Sequence, residues 1–198
     1  MSEPQWRLEL TDKAVRDELD RLHPERTALR AQDLSSMKLA FAAAAQMWEP
    51  TLERARRLPA ANLQDRVDGE YSFVETLRHL LFAWDNWITR MVLRVPQGYH
   101  PLGVPPTGAM PPEGGGRDLI VGLDPVLEAR ADKFAGVADY LSTATDADLQ
   151  AVVSPPDKTG YPQTDYPVFF CLRVVLNEEW WHHQFAVRDL TVVESGVV

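Results

Sequence analysis

The sequence predicts an all-α fold, a four-helix bundle with long crossover loops and a short N-terminal helix, and three observations carry that prediction. Four long stretches repeat apolar residues at steps of three and four, the period of a helix with one buried face. Two irregular stretches, residues 96–123 and 142–166, are rich in proline and glycine and long enough to carry the chain along a bundle. The last long stretch sets carboxylates and imidazoles four residues apart, a spacing that faces one way on a helix. Repeats and extended heptads are absent, and all 198 residues read as one domain with its bundle core over 34–193.

Taken in order, residues 1–10 read as an irregular lead-in, and Thr11 as the N-cap of a short helix that Pro24 ends after Leu22. The first long helix is expected from Ser35 or Ser36 to Leu58. Leu39, Ala42, Ala43, Gln46, Met47, Pro50 and Leu52 sketch its apolar face, and Pro50 should kink or divide it. A connector over 59–69 leads to the second long helix, about Tyr71 to Val95, with Ser72 and Glu75 spaced as a capping box. Its apolar row is Phe73, Leu77, Leu80, Trp84, Trp87 or Ile88, and Met91, and His79 stands beside that row. The stretch 96–123 is a loop of lid or crossover type, with His100 as an exposed loop histidine. Asp124-Pro125 should open the third helix, running to about Leu141 with Val126, Leu127, Arg130, Phe134, Val137 and Leu141 inward. Ser154-Pro-Pro-Asp and Gly160-Tyr-Pro suggest a short hairpin, and the fourth helix should run from near Pro167 to about Val193, before Gly196.

Composition narrows the function classes. Hydrophobic content of 45% and charged content of 25% are those of a globular protein, and no run of 18 apolar residues suggests a membrane span. The start, Met1-Ser-Glu-Pro-Gln-Trp, lacks a secretory pattern, so the expected compartment is the cytoplasm, in keeping with a single cysteine. A net charge of −9 argues against a nucleic-acid surface. Cys171 lies two turns, roughly 12 Å, from Glu179 along the helix and reads as a buried small residue.

The residues Asn177 to Asp189, N-E-E-W-W-H-H-Q-F-A-V-R-D, carry the chemistry. Two overlapping pairs are offered, Glu178 with His182 and Glu179 with His183. The row Leu172, Leu176, Glu179, His183, Ala186, Leu190 is apolar at both ends, whereas Cys171, Val175, Glu178, His182, Phe185, Asp189 drifts into charge. The core-facing seam therefore selects Glu179 and His183. The plain alternative is that both pairs are solvated i,i+4 partners worth a few tenths of a kcal/mol. In a bundle, helices two and four can bring His79, Glu179 and His183 to one point. Two imidazoles and one carboxylate leave positions open on a metal, as a catalytic site requires. Trp84, Trp87, Trp180 and Trp181 are candidates for pocket wall or core, and Asp85, Arg188 and Asp189 for groups that orient a ligand or for a surface ion network.

The motifs E-T-L-R-H-L-L-F-A-W-D-N-W and N-E-E-W-W-H-H-Q-F-A-V-R-D-L, with the helix order and the two long connections, resemble the DinB-like (DinB/YfiT-like) superfamily of four-helix metalloenzymes over residues 34–193. The resemblance implies a first metal histidine inside the second helix, at His79, and two more ligands four apart in the last helix, at Glu179 and His183. A glutamate there, where many members have histidine, is similar to the branch containing mycothiol-dependent maleylpyruvate isomerase, a zinc enzyme with a further C-terminal α/β domain. Carried over are a divalent metal, zinc first with nickel or iron as alternatives, and a low-molecular-weight thiol such as mycothiol. The function so implied is a thiol-dependent transferase or isomerase acting on a small electrophile. A metal-dependent hydrolase and a non-catalytic metal- or ligand-binding stress protein are the alternatives. The expected partners are a small-molecule substrate and that thiol, with a homodimer left open, and neither nucleic acid nor membrane.

Overall fold

The computed structural model describes residues 5–96, 98–106, 116, 118–157 and 161–196. Helices α1 (Gln5–Thr11) and α2 (Lys13–Leu22) are followed by a 3-10 turn, Pro24–Leu29. The bundle comprises α3 (Leu34–Ala55), α4 (Phe73–Trp84), α5 (Leu123–Thr143) and α7 (Val168–Ser195), with a short α6 (Asp146–Gln150) before the strands. Strands β1 (Val152–Val153) and β2 (Tyr166–Pro167) pair antiparallel, Val152 opposite Pro167, and close the second long connection. Around the bundle, α7 packs on α3 and α4, and α5 packs on the same two helices from the other side. Among the described residues no helix is long and apolar enough to cross a membrane.

Local signals set the helix boundaries. Asp33 and Ser36 form a capping box at α3, and Ser72 and Glu75 form the expected one at α4. Gly196, at φ 68°, ends α7 in the left-handed conformation that glycine adopts without strain. Other expectations are corrected. Residues 5–11 are helical rather than irregular, and Asp12, not Thr11, caps α2, its carboxylate accepting from the Ala14 and Val15 amides at 2.8 and 3.3 Å. Pro50 does not divide the first long helix: α3 runs through it to Ala55. Pro50 and Gln46 are both exposed, so water can satisfy the Gln46 carbonyl that the proline leaves unpaired. The inner face of α3 is Met37, Ala40, Phe41, Ala44, Trp48, Thr51 and Ala55, one residue out of step with the expected face, and Leu39 is exposed. A helix so rich in alanine carries little amphipathic signal, so its rotation is decided by Phe41 and Trp48. Helix α5 begins two residues early, with Gly122 rather than Asp124 at the cap, and places Pro125 in the first turn where no N–H is needed.

Beyond Trp84, α4 continues as a π-helical stretch, Asp85–Val92, and the Leu93 amide donates to the Ile88 carbonyl five residues back. The wider turn buries both Trp87 and Ile88, the two positions between which the sequence pattern left a choice. The described part of the first long connection lies against α4. Arg78, 1% exposed, donates to the carbonyls of Leu102, Leu119 and Gly116 at 2.6–2.8 Å, and the Val104 amide donates to the Arg78 carbonyl. Close approach is permitted at Gly103, where a Cβ would come within 3.1 Å of the His100 carbonyl. His100 is part-buried, not exposed: its Nδ1 accepts from the Leu102 amide, and its own amide donates to Asp85. Gly114 and Gly115 lie outside the described residues.

The core has two apolar clusters. One gathers Met37, Phe41, Ile88, Met91, Val137, Leu141 and Leu172; the other gathers Leu63, Leu77, Leu80, Leu81, Val126 and Leu190. Between them sits Glu179, fully buried, which draws one side chain from each other bundle helix. Trp48 of α3 donates to Oε2 at 2.7 Å, and Trp84 of α4 to Oε1 at 2.6 Å. Arg130 of α5 closes a two-pronged pair at 3.1 and 2.8 Å. Four donors thus satisfy a carboxylate that burial would otherwise expel.

Removing one member of such a pair strands the other. Glu179→Ala should destabilise the protein by about 3–5 kcal/mol. The double change Glu179→Met with Arg130→Met should recover most of that loss, since apolar replacement removes both charges together. Urea unfolding of the three proteins is the measurement.

Candidate metal centre

The side chains that converge on one point are His79, Glu178 and His182, whose ligand atoms all lie within 4.8 Å of one another. His79 comes from α4, and the other two come one turn apart from α7. The structure thus brings the expected His79 together with the pair that the seam pattern passed over. Glu179 and His183, selected as ligands from that pattern, sit elsewhere. Glu179 spends its oxygens on Trp48, Trp84 and Arg130. His183 meets the Thr51 hydroxyl at 2.9 Å through Nε2 and packs edge-on against Trp48, ring centroids 5.0 Å apart. The seam does face the core, as Leu172, Leu176, Ala186 and Leu190 show. A centre that admits ligands, however, has to lie at the margin of the core, and residues one step round the helix occupy that margin.

Each imidazole is oriented by a carbonyl. His79 Nδ1 lies 2.9 Å from the Val104 oxygen, and His182 Nδ1 lies 3.0 Å from the Glu178 backbone oxygen. A carbonyl only accepts, so both Nδ1 atoms carry the proton and each Nε2 bears the lone pair suited to a metal. Tyr71 stacks on His79 at 5.1 Å and anchors its own hydroxyl on the Pro105 carbonyl. The two imidazole rings lie 4.9 Å apart. The Arg78 hold on the loop therefore serves the site, because it keeps Val104 within reach of His79.

Burial sets the charge state of the cluster. It raises the Glu178 carboxyl above the ordinary range, opposed by His79 and reinforced by the carboxylates of Glu179 and Glu9. It lowers the His182 imidazole, with the Glu178 backbone carbonyl working against it. His183 is lowered too, mainly by burial. An imidazole held down, His182, beside a carboxyl that resists losing its proton is a site that a cation would stabilise. Two imidazoles and a carboxylate are a donor set of the kind that holds zinc, iron or nickel while leaving positions open, so the residues present fit a divalent ion.

A cavity of about 190 Å³ opens beside the cluster, walled by His79, Phe82, Ala83, Asn86, Trp87, Tyr161 and Glu178 among others. Of the four tryptophans considered for the wall, only Trp87 lines it; Trp84 holds Glu179, and Trp180 and Trp181 face other surroundings. Asp85 binds Thr89, the His100 amide and Lys133, while the exposed Arg188 bridges the buried Asp189 and the exposed Glu70. One signal bore on the role of Glu179. Arg130 falls on the inward row of α5, and a guanidinium in the core has to find acceptors there, a carboxylate among them.

The fold is thus a mostly helical bundle carrying a His/His/Glu cluster able to coordinate a divalent metal. The chain belongs to the DinB superfamily, whose model matches residues 43–186, a span that includes His79, Glu178 and His182. No curated protein and no solved structure matches the chain.

Metal content should separate the two registers. His79→Ala, Glu178→Ala and His182→Ala should each lose most bound metal, whereas His183→Ala should keep it, as read by elemental analysis of gently purified protein. Acidification should also release metal. A cation needs Glu178 ionised, and because burial raises that carboxyl, protons compete for it above the usual carboxylate range. Affinity should therefore fall with decreasing pH, starting above the ordinary glutamate range, and Glu178→Gln should flatten that dependence in a chelator competition titration.

Proposed function

We propose that the chain is a divalent-metal-dependent enzyme, with zinc as the resident ion, that joins a low-molecular-weight thiol to a small electrophile or isomerises that electrophile through the thiol. The observation that carries this reading is the placement of His79 and Glu178 in the wall of a small, largely aromatic cavity. At about 190 Å³ the cavity is below the ~300–1,000 Å³ usual for drug-sized ligands, which suits a small substrate. When bound, a divalent cation makes a thiol or water that joins it more acidic.

The chain's own residues do the rest. Val104 and the Glu178 carbonyl hold the two imidazoles in one tautomer. Phe82, Trp87 and Tyr161 exclude water around the reacting groups. The Tyr99 hydroxyl donates to Asn86 Oδ1 at 2.9 Å, which leaves the Asn86 amide nitrogen as a donor at the cavity wall for a polar group of the substrate. The thiol has to come from outside. Cys171 is the chain's single cysteine, it is fully buried, and burial pushes its thiol up to about 12.

The test is consumption of small electrophiles by the metal-loaded protein with a panel of thiols, mycothiol and glutathione included. Turnover should require thiol and metal, fall at least about 100-fold in Glu178→Ala and His182→Ala, and persist in Cys171→Ala. Equal turnover without thiol would move the assignment to metal-assisted hydrolysis. Retained metal with no turnover on any substrate would leave a binding protein.

A further inference from the structure

A second cavity, of about 350 Å³, lies on another face of α7, enclosed by α1, α2, the Pro24–Leu29 turn and residues 31–32. In a chain of net charge −9, its wall holds five cations, Lys13, Arg16, Arg26, Arg30 and Arg173, against two carboxylates, Glu9 and Asp20. Both carboxylates are already engaged. Glu9 accepts from Asn177 and Trp181 at 3.3 and 2.8 Å, and Asp20 accepts from Arg26 at 3.3 Å and lies against Arg30. Lys13 and Arg30 also reach Asp17 just outside the wall, and Arg16 donates to the Leu10 carbonyl at 2.7 Å.

Arg173 is different. Among the described residues no carboxylate pairs with it, and its guanidinium lies 5.7 Å from the Phe169 ring. Burial, then the charges of Arg16 and Arg30, hold it below the usual arginine range, so its surroundings repel its charge rather than neutralise it. Two further donors on the same wall are buried without an acceptor, Trp180 Nε1, on a side chain 1% exposed, and Arg26 Nη1, on one 10% exposed; one acceptor there, Asp20 Oδ2, is buried without a hydrogen bond, though Arg30 lies against it as an ion pair. Buried polar atoms are ordinarily satisfied, and with Arg173 these donors outnumber the one open acceptor on the wall, which leaves a place for a further acceptor. Leu10, Leu29, Phe169 and Leu176 complete the wall with apolar surface.

We propose that this cavity binds a small organic anion, a carboxylate or phosphate on a partly apolar body, through Arg173, Arg26 and the Trp180 indole N–H. The planar guanidinium fork suits either acidic group, and the volume is that of a small metabolite. Much of the wall, Glu9 to Gln32, precedes residue 43, where the family match begins, while Arg173 and Trp180 come from α7 within it.

Isothermal titration of the full chain in low-chloride buffer, with inorganic phosphate and with benzoate as probes, tests this. Saturable binding of either probe at one per chain is expected; which probe binds more tightly distinguishes a phosphorylated from a carboxylate ligand. Arg173→Gln should weaken binding about tenfold or more. Trp180→Phe, which keeps the ring and removes only the N–H, should weaken it less. Both variants should keep their bound metal, and Arg173→Gln should melt no lower than the parent, because a repelled charge has been removed. No saturable binding at millimolar probe, or binding unchanged in Arg173→Gln, would overturn the proposal.

Discussion

The bundle depends on the buried pair of Glu179 and Arg130, with the indoles of Trp48 and Trp84 closing around the carboxylate. Each member comes from a different helix, so the rotation and height of all four are tied to one carboxylate. Apolar packing above and below tolerates sliding and exchange of similar side chains. A carboxylate that must receive four directed hydrogen bonds tolerates neither, and an arrangement that misplaces one helix leaves an ion unpaired in the core. Both apolar clusters are therefore assembled around a polar layer that sets their register.

That layer also positions the chemistry. Glu178 and Glu179 are consecutive, and one step on a helix is about 100°. With Glu179 pinned to the bundle axis, Glu178 is turned to the α4 side, where His79 and His182 meet it. Structural and functional carboxylates are thus two outputs of one helix orientation. Glu179 contributes no ligand atom to the cluster, so any loss of metal in a Glu179 variant has to be read beside its stability.

Much of the bundle was legible in the sequence, because α4, α5 and α7 bear large apolar residues at helical spacing and α4 opens on a plain capping box. Helix α3 was legible as a helix but not in its rotation, since alanine on several faces leaves the inner one unmarked. In the site, His79 and the spacing of four on α7 were legible; the choice between overlapping pairs was not. Hydrophobic periodicity reports which residues are buried, not what a buried charge is for. Separating Glu179 from Glu178 required knowing that Arg130 and two indoles arrive from other helices, contacts of 49 to 131 residues in sequence separation. The loop histidine His100 and the carbonyl of Val104 depend likewise on a connection whose path no local pattern announces.

The π-helical stretch after Trp84 has a consequence for how this chain can change length. A π turn accommodates an added residue within a helix without unwinding its two ends. Deleting one residue between Asp85 and Val92 would heal the stretch to an ordinary α-helix rather than break it. The residues beyond would keep their directions, because the π turn had already absorbed the extra residue. Trp87 or Ile88 would have to give up its place, while Met91 and Val92 beyond and His79 upstream would stay where they are. The stretch is where α4 carries one residue more than an α-helix of the same span, and that extra residue lets Trp87 and Ile88 both enter the core.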